Sequence, residues 1–193
     1  MQGDTADKIR STAHALMVER GYAAFSYADI AEALGITKAS LHYHFGSKAS
    51  LAVAVLTAHR ERLVEAMELL DEQITDPKMR LTAYVQYWEK CIQDRSVTFC
   101  VAALLGAEMP SLPEEVQSEV RKHFAVLGQW IEKTLKAGVK AQVFRLKESA
   151  ATEAQILMAV VHGAMLTSRA SGNDKVYGTV TAGALRRIST TTS

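Results

Sequence analysis

The stretch from Ser26 to Leu51, SYADIAEALGITKASLHYHFGSKASL, restricts the possible fold more than any other part of the chain. Ser26 and Asp29 stand in S-x-x-D spacing, in which the serine caps a helix and the acid reaches back to the cap's own N–H. The helix they open carries Ile30, Ala33 and Leu34 and stops at Gly35, a residue free to turn left-handed. Only Gly35-Ile36-Thr37 remain for a turn before Thr37 caps a second helix, which runs through Leu41 and His44 to Phe45 and ends at Gly46. A helix of about two turns is marginal on its own, so its value lies in the surface it presents. Ala39, Leu41 and Phe45 supply its apolar side, which leaves Lys38, Ser40, His42, Tyr43 and His44 facing outward. That outward set is rich in hydrogen-bond donors and mostly uncharged, which suits base edges in a major groove. Its hydroxyls and imidazoles also suit phosphates, which fix register without reading sequence. Ser47 and Lys48 open the next helix, where free N–H groups and the helix dipole favour a phosphate.

The rest of the chain reads as helix. Ile9, Ala13, Leu16 and Met17, with Arg20 at the edge, mark one face of a first helix that Gly21 closes; Tyr22 and Phe25 then supply apolar anchors. After Ser47 comes a long fourth helix with the stripe Leu51, Val55, Leu63, Met67 and Leu70. Asp76-Pro77 reads as a cap followed by proline in the first turn, opening a fifth helix with Leu81, Tyr84, Val85, Trp88 and Ile92 inward. A sixth, very apolar helix is expected from Phe99 to Met109. A seventh starts near Ser111 to Glu114, with the stripe Val116, Val120, Phe124, Leu127, Ile131 and Leu135, and closes at Gly138. Val139 to Leu146 is the nearest approach to a strand, short and isolated. The eighth helix carries Ala154, Leu157, Val161, Ala164 and Ser168; Gly172-Asn173 breaks the chain; a ninth runs from about Asp174 to Ile188. The polar tail Ser189 to Ser193 is expected to fray. The expectation is therefore an all-α protein of about nine helices. The chain is expected to divide into a three-helix helix-turn-helix unit, 1–46, and a helical body, 47–193.

Charge is informative only through its distribution. The net charge is +1, yet residues 36–62 carry Lys38, Lys48, Arg60 and Arg62 against Glu61 alone. A basic patch in a neutral chain fits a small polyanion-binding surface, although a solvated helix face gives the same count. No apolar run is long enough to span a bilayer, and MQGDTADKIR does not read as an export signal. A cytoplasmic protein is the simplest expectation. With Cys91 and Cys100 alone, a disulfide framework is not expected. No CxxC, HExxH, Gly-rich phosphate loop or G-x-S-x-G stands in the sequence, so neither an enzyme, a cofactor nor a metal is expected. His42 and His44 lie roughly 200° apart around a helix axis and cannot chelate one ion. The two cysteines read first as small buried hydrophobes and alternatively as an electrophile or oxidant sensor; nothing in the sequence lowers a thiol pKa.

Residues 9–56 resemble the TetR/AcrR family of bacterial transcriptional regulators. The likeness rests on Gly21 and Phe25, the SYADIAEALGITKASL block and the HYHFGSKASL block that follows. It implies backbone contacts to DNA from Ser26, Tyr27, Thr37, Tyr43 and Lys48, and base-edge contacts from Lys38, Ala39, Ser40 and His42. His42 stands where the family usually has tyrosine, so that contact would vary with pH. The resemblance of residues 9–56 assigns DNA binding to the 1–46 unit, and effector binding with dimerisation to the 47–193 body. The resemblance also implies a homodimer on a palindromic operator and a hollow core that takes a small effector. The candidate pocket wall is Met67, Trp88, Cys91, Phe99 and Cys100, with Leu104, Phe124, Leu127, Met158 and His162. It is apolar or aromatic with few polar handles, which favours a hydrophobic or aromatic ligand; a filled core without a cavity is the plain alternative. Ala154, Leu157, Val161, Ala164 and Ser168, with Val180 and Ala184 of the ninth helix, form the candidate dimer seam, unless they pack within one chain. Control by a partner protein, without an effector, is the rival to this scheme.

Overall fold

The computed structural model describes residues 2–97 and 99–190, and residues 2–4 by their backbone alone. Nine α-helices stand among the described residues: α1 (Gln2–Arg20), α2 (Tyr27–Leu34), α3 (Lys38–His44), α4 (Lys48–Gln73), α5 (Pro77–Gln93), α6 (Val101–Ala107), α7 (Glu114–Lys140), α8 (Ala150–Ser171) and α9 (Lys175–Ile188). The all-α expectation holds, and the local signals explain most boundaries. Asp76 accepts from the Lys78 N–H with Pro77 in the first turn, and Ser149 accepts from Thr152 N–H. Gly35 and Gly172 end α2 and α8 in the left-handed region.

Two helix boundaries and the start of the tail differ from the sequence expectation. The sixth helix is shorter than Phe99 to Met109. It ends at Ala107, and Met109–Ser111 forms a tighter 3-10 turn, because Pro110 has no N–H to continue an α-helical ladder. Gly138 does not close α7, which continues to Lys140. The Phe144 ring lies 2.0 Å from where a Cβ on Gly138 would stand, so the position needs glycine for close packing. Val139 to Leu146 forms no strand; Phe144 makes one isolated antiparallel bridge with Ser189. Arg145 N–H donates to Ile188 O (2.8 Å) and Thr190 N–H to Val143 O (3.0 Å), so the start of the supposedly frayed tail is held. Its last three residues, 191–193, lie outside the described residues.

The chain divides into two compact units, residues 1–62 with 100–124, and residues 63–99 with 125–193. α4 and α7 each contribute to both units. In the first unit Ile9, Ala13, Met17, Phe25, Ile30 and Leu41 are buried together with Leu51, Val55, Val101, Leu105 and Val116. In the second, Leu81, Val85, Trp88, Ile131, Leu135, Leu157, Val161 and Tyr177 are buried, and Tyr177 Oη donates to Val85 O at 3.2 Å.

Asp71 ties three elements of the second unit. Its carboxylate accepts from Trp130 Nε1 (3.1 Å) and Lys133 Nζ (2.8 Å) and pairs with Arg80 Nη1 (3.3 Å). Burial alone would push this carboxyl up; the Lys133 and Trp130 hydrogen bonds and the Lys133 and Arg80 charges outweigh it and hold the group below the usual range. A depressed carboxyl stabilises the fold above its unfolded-state pKa, and that contribution fades as pH falls through the folded value. Asp71→Asn should therefore cost about 1–3 kcal/mol at neutral pH. The gap from the unmutated chain should narrow in acid, as read by chemical denaturation across a pH series. A gap that stays constant down to low pH would show that Asp71 acts only through its shape.

Candidate nucleic-acid interface

The surface at α3 is assembled from four local devices. Ser26 and Asp29 form the expected capping box: Ser26 N–H donates to Asp29 Oδ2 (2.6 Å) and Asp29 N–H to Ser26 Oγ (3.4 Å). The Ser26 hydroxyl and N–H hold the Asp29 carboxyl below its ordinary range. At the turn, Gly35 takes φ +63° and Ile36 N–H donates to Ala31 O (3.0 Å). Thr37 Oγ1 then accepts from Ser40 N–H (3.1 Å) and opens α3. Fully buried Leu41 anchors α3 from beneath.

This leaves Lys38, Ala39, His42 and Tyr43 exposed, Tyr43 at 74%, with Ser40 and His44 half-buried. Ser26 and Thr37 are exposed at the two caps. Ala39, read from the sequence partly as core, faces out, because Leu41 alone of α3 is buried. Tyr27 does something the sequence did not announce. Its hydroxyl donates to Phe45 O (2.7 Å) and its ring lies 4.9 Å from that of His42, so it positions α3 against α2.

Lys48 also departs from expectation. Its Nζ lies 3.4 Å from Ala23 O and stands over the Tyr22 and Phe25 rings, at 4.6 and 4.5 Å from their centroids. Burial lowers its pKa, and the Glu108 and Asp29 charges oppose that shift. The cation is engaged with the loop between α1 and α2 rather than held out for a phosphate.

Glu108, which no motif marked, holds the same loop. One carboxylate oxygen accepts from Tyr22 N–H (3.0 Å) and the other from Ala23 N–H (3.2 Å), across 86 and 85 residues of chain. Gly21 takes φ +81°, and a Cβ there would lie 2.3 Å from Glu108 Oε1. Positive φ and close approach both require glycine here. The residue that caps the C-terminal end of α6 is thereby fastened to the loop that leads into the α2–α3 pair.

The candidate effector wall is distributed over both units. Met67, Trp88, Cys91, Phe99 and Leu127 are buried in the second, where Met158 and His162 are half-buried. His162 Nδ1 donates to Met158 O at 2.8 Å, within its own helix. Cys100, Leu104 and Phe124 belong to the first unit, with Cys100 buried and the other two half-buried. Cys100 is not part of an apolar wall. Its Sγ lies 3.7 Å from both His59 Nε2 and His123 Nε2, and the two imidazoles stack with centroids 5.0 Å apart. Burial pushes the Cys100 thiol up to about 11, the opposite of an activated thiolate.

The α8 seam also needs correction. Ala154, Leu157, Val161, Ala164 and Ser168 are all buried within the single chain, and α8 packs on α9. Side chains already enclosed cannot also form a surface between two chains. The apolar side left exposed is Ile156, Ala159, Gly163, Leu166 and Ala170, with Leu166 at 58%. Its spacing is again 3-4-3-4, rotated around the same helix. On α9, Val180 is exposed and Ala184 half-buried.

No helix among the described residues is long and apolar enough to cross a membrane. The family model of bacterial regulatory proteins of the tetR family matches residues 9–55, and that of the tetracyclin repressor-like C-terminal domain matches 77–184. A solved TetR-family transcriptional regulator from Agrobacterium tumefaciens is 41% identical, covers 98% of this chain and 100% of its own, and superposes with a TM-score of 0.96. The transcriptional repressor NemR of Escherichia coli K12 is 24% identical over 87% of this chain and 85% of its own length. The transcriptional regulator LmrA of Bacillus subtilis is 28% identical over 89% of each. A three-helix head of this geometry, with one family model matched on it and a second on the helices that follow, makes this chain a transcriptional regulator of the TetR family.

Proposed function

We propose that the protein is a homodimeric repressor that grips a palindromic operator through α3 and lets go when a small hydrophobic or aromatic molecule binds its C-terminal helices. The exposed, donor-rich face of Lys38, Ala39, Ser40, His42 and Tyr43 carries this reading. Two such faces about 34 Å apart match successive major grooves. Residues 1–46 act as the reading head and 47–193 as the responsive body. The exposed stripe of Ile156, Gly163 and Leu166, continued by Val180 on α9, is the surface for the second copy. An effector shifts the balance only by its difference in affinity for the gripping and released states. The apolar character of Trp88, Phe99 and Leu127 in the second unit supports a ligand with few polar groups.

The test is a comparison of palindromic and random duplexes across a salt series. Lys38→Ala should weaken operator binding and relax the preference at the base that its ammonium reads. Lys48→Ala, whose ammonium is engaged with Ala23, Tyr22 and Phe25, should lower the melting temperature and leave the salt slope nearly unchanged. Ser40→Ala and His42→Ala should change which operator is preferred. No preference for any palindrome over random DNA at moderate salt would overturn the reading.

A further inference from the structure

We propose that His59, Cys100 and His123 form a binding site for a single d10 transition-metal ion, Zn2+ or Cu+. The three residues come from α4, the N-terminal cap of α6 and α7, and their ligand atoms all lie within 4.8 Å of one another. One thiolate and two imidazoles form a set that both ions accept, thiolate being soft and imidazole borderline.

The two sulfur–nitrogen distances are compatible with an ion. Bond lengths of about 2.3 Å to sulfur and about 2.0–2.1 Å to nitrogen require an S···N separation of about 3.5 Å in tetrahedral geometry and about 3.8 Å in trigonal geometry. Both observed separations are 3.7 Å, to Nε2 of each ring. The same 3.7 Å also admits a chain of weak sulfur hydrogen bonds, in which the thiol donates to one ring and accepts from the other. Metal binding and this chain make different predictions for the thiol proton and for the first coordination shell.

The surroundings favour the ion. Cys100 and His123 are buried and His59 is half-buried, so the ligands are held by packing. On binding, the Cys100 S–H bond breaks, its proton leaves to solvent and the sulfur lone pair forms the bond to the metal. Each ring contributes its Nε2 lone pair, and nothing is oxidised or reduced. Cu+ is satisfied by three ligands. Zn2+ takes a fourth, which a water can supply.

The cluster also has a route to the reading head. Cys100 stands at one end of α6 and Glu108 at the other, and Glu108 holds Tyr22 and Ala23. An ion that joins α4, α6 and α7 would stiffen the helix that holds the α1–α2 loop, a consequence that rests on the DNA-binding reading above.

The experiment uses the full-length, tag-free, reduced chain, stripped of metal and titrated with Zn2+, with Cu+ under anaerobic conditions, and with Co2+ as a spectroscopic substitute for zinc. The expected result is one ion per chain, proton release, a raised melting temperature and a thiolate-to-cobalt charge-transfer band. X-ray absorption on the unmutated protein should show one sulfur and at least two nitrogens around the ion. Cys100→Ser should abolish the charge-transfer band and weaken binding at least about tenfold, while Cys91→Ser leaves both intact. The more tightly held of Zn2+ and Cu+ names the occupant. An all-nitrogen-and-oxygen shell, or Cys100→Ser binding as tightly as the unmutated chain, would overturn the proposal and leave the sulfur hydrogen bonds in its place. The absorption measurement needs no variant, so it decides even where Cys100→Ser fails to fold. Operator binding is scored separately in metal-free protein, so failure of the metal site and failure of the DNA reading are told apart.

Discussion

Leu166→Arg is expected to yield a folded monomer whose affinity for a two-half-site operator is lower by about 10²–10⁴, the gain that linking two binding modules supplies. Leu166 is 58% exposed on α8 in the single chain. An arginine there meets solvent, so the fold should change by no more than about 0.5 kcal/mol. In a dimer built on Ile156, Gly163 and Leu166, the same guanidinium would be buried without a partner. Sedimentation should show the loss of dimer, and circular dichroism should show unchanged helix content. Ala164→Arg makes the contrast. Ala164 is 2% exposed within the chain, so its arginine would be forced into the chain's own core. An uncompensated buried charge costs about 3–5 kcal/mol against a total stability of roughly 5–15 kcal/mol, and the result should be a markedly lowered melting temperature rather than clean dissociation. A Leu166→Arg protein that remains dimeric and binds operator normally would move the dimer surface elsewhere.

Gly21→Ala should be nearly as damaging, through the α1–α2 loop. Left-handed backbone costs a non-glycine residue about 1–2 kcal/mol. The new Cβ would also stand 2.3 Å from Glu108 Oε1, so the carboxylate must leave Tyr22 and Ala23 N–H. Hydrogen bonds to a charged group are worth about 1.5–3 kcal/mol each, and the lower figure applies because this loop is partly solvated. A total of about 4–5 kcal/mol follows from the strain and the two lost hydrogen bonds, with operator affinity falling as α2 and α3 lose their fixed lead-in. The double variant with Glu108→Ala separates the causes. If the glycine acts through Glu108, the pair should cost little more than Gly21→Ala alone. Full additivity would mean that strain at residue 21 is the whole effect.

The reading head was legible because its signals are local. Ser26 with Asp29, Gly35, and Thr37 with Ser40 each act within three residues, and the structure makes the hydrogen bonds their spacing implies. The α5 stripe was legible for a similar reason, since Leu81, Tyr84, Val85, Trp88 and Ile92 recur at helical period and are all buried. Periodicity failed where it had to say what a face packs against. The seam of Ala154, Leu157, Val161, Ala164 and Ser168 was found, yet it turns toward the chain's own helices. Lys48 was placed correctly at the start of α4, but the Ala23 carbonyl and the Tyr22 and Phe25 rings occupy its ammonium.

The sequence by itself determined the helices, their caps and the short α3 with its polar face, because helix formation and capping depend on neighbours a few residues apart. Only the tertiary structure decided which groups separated along the chain would meet. Glu108 reaches Tyr22 across 86 residues, and His59, Cys100 and His123 converge across separations of 41 and 23. The physical reason is one of range. A cap or a stripe is encoded in one stretch of chain, whereas a carboxylate under a distant loop or a thiol between two imidazoles exists only once separate helices have packed and excluded water from between them.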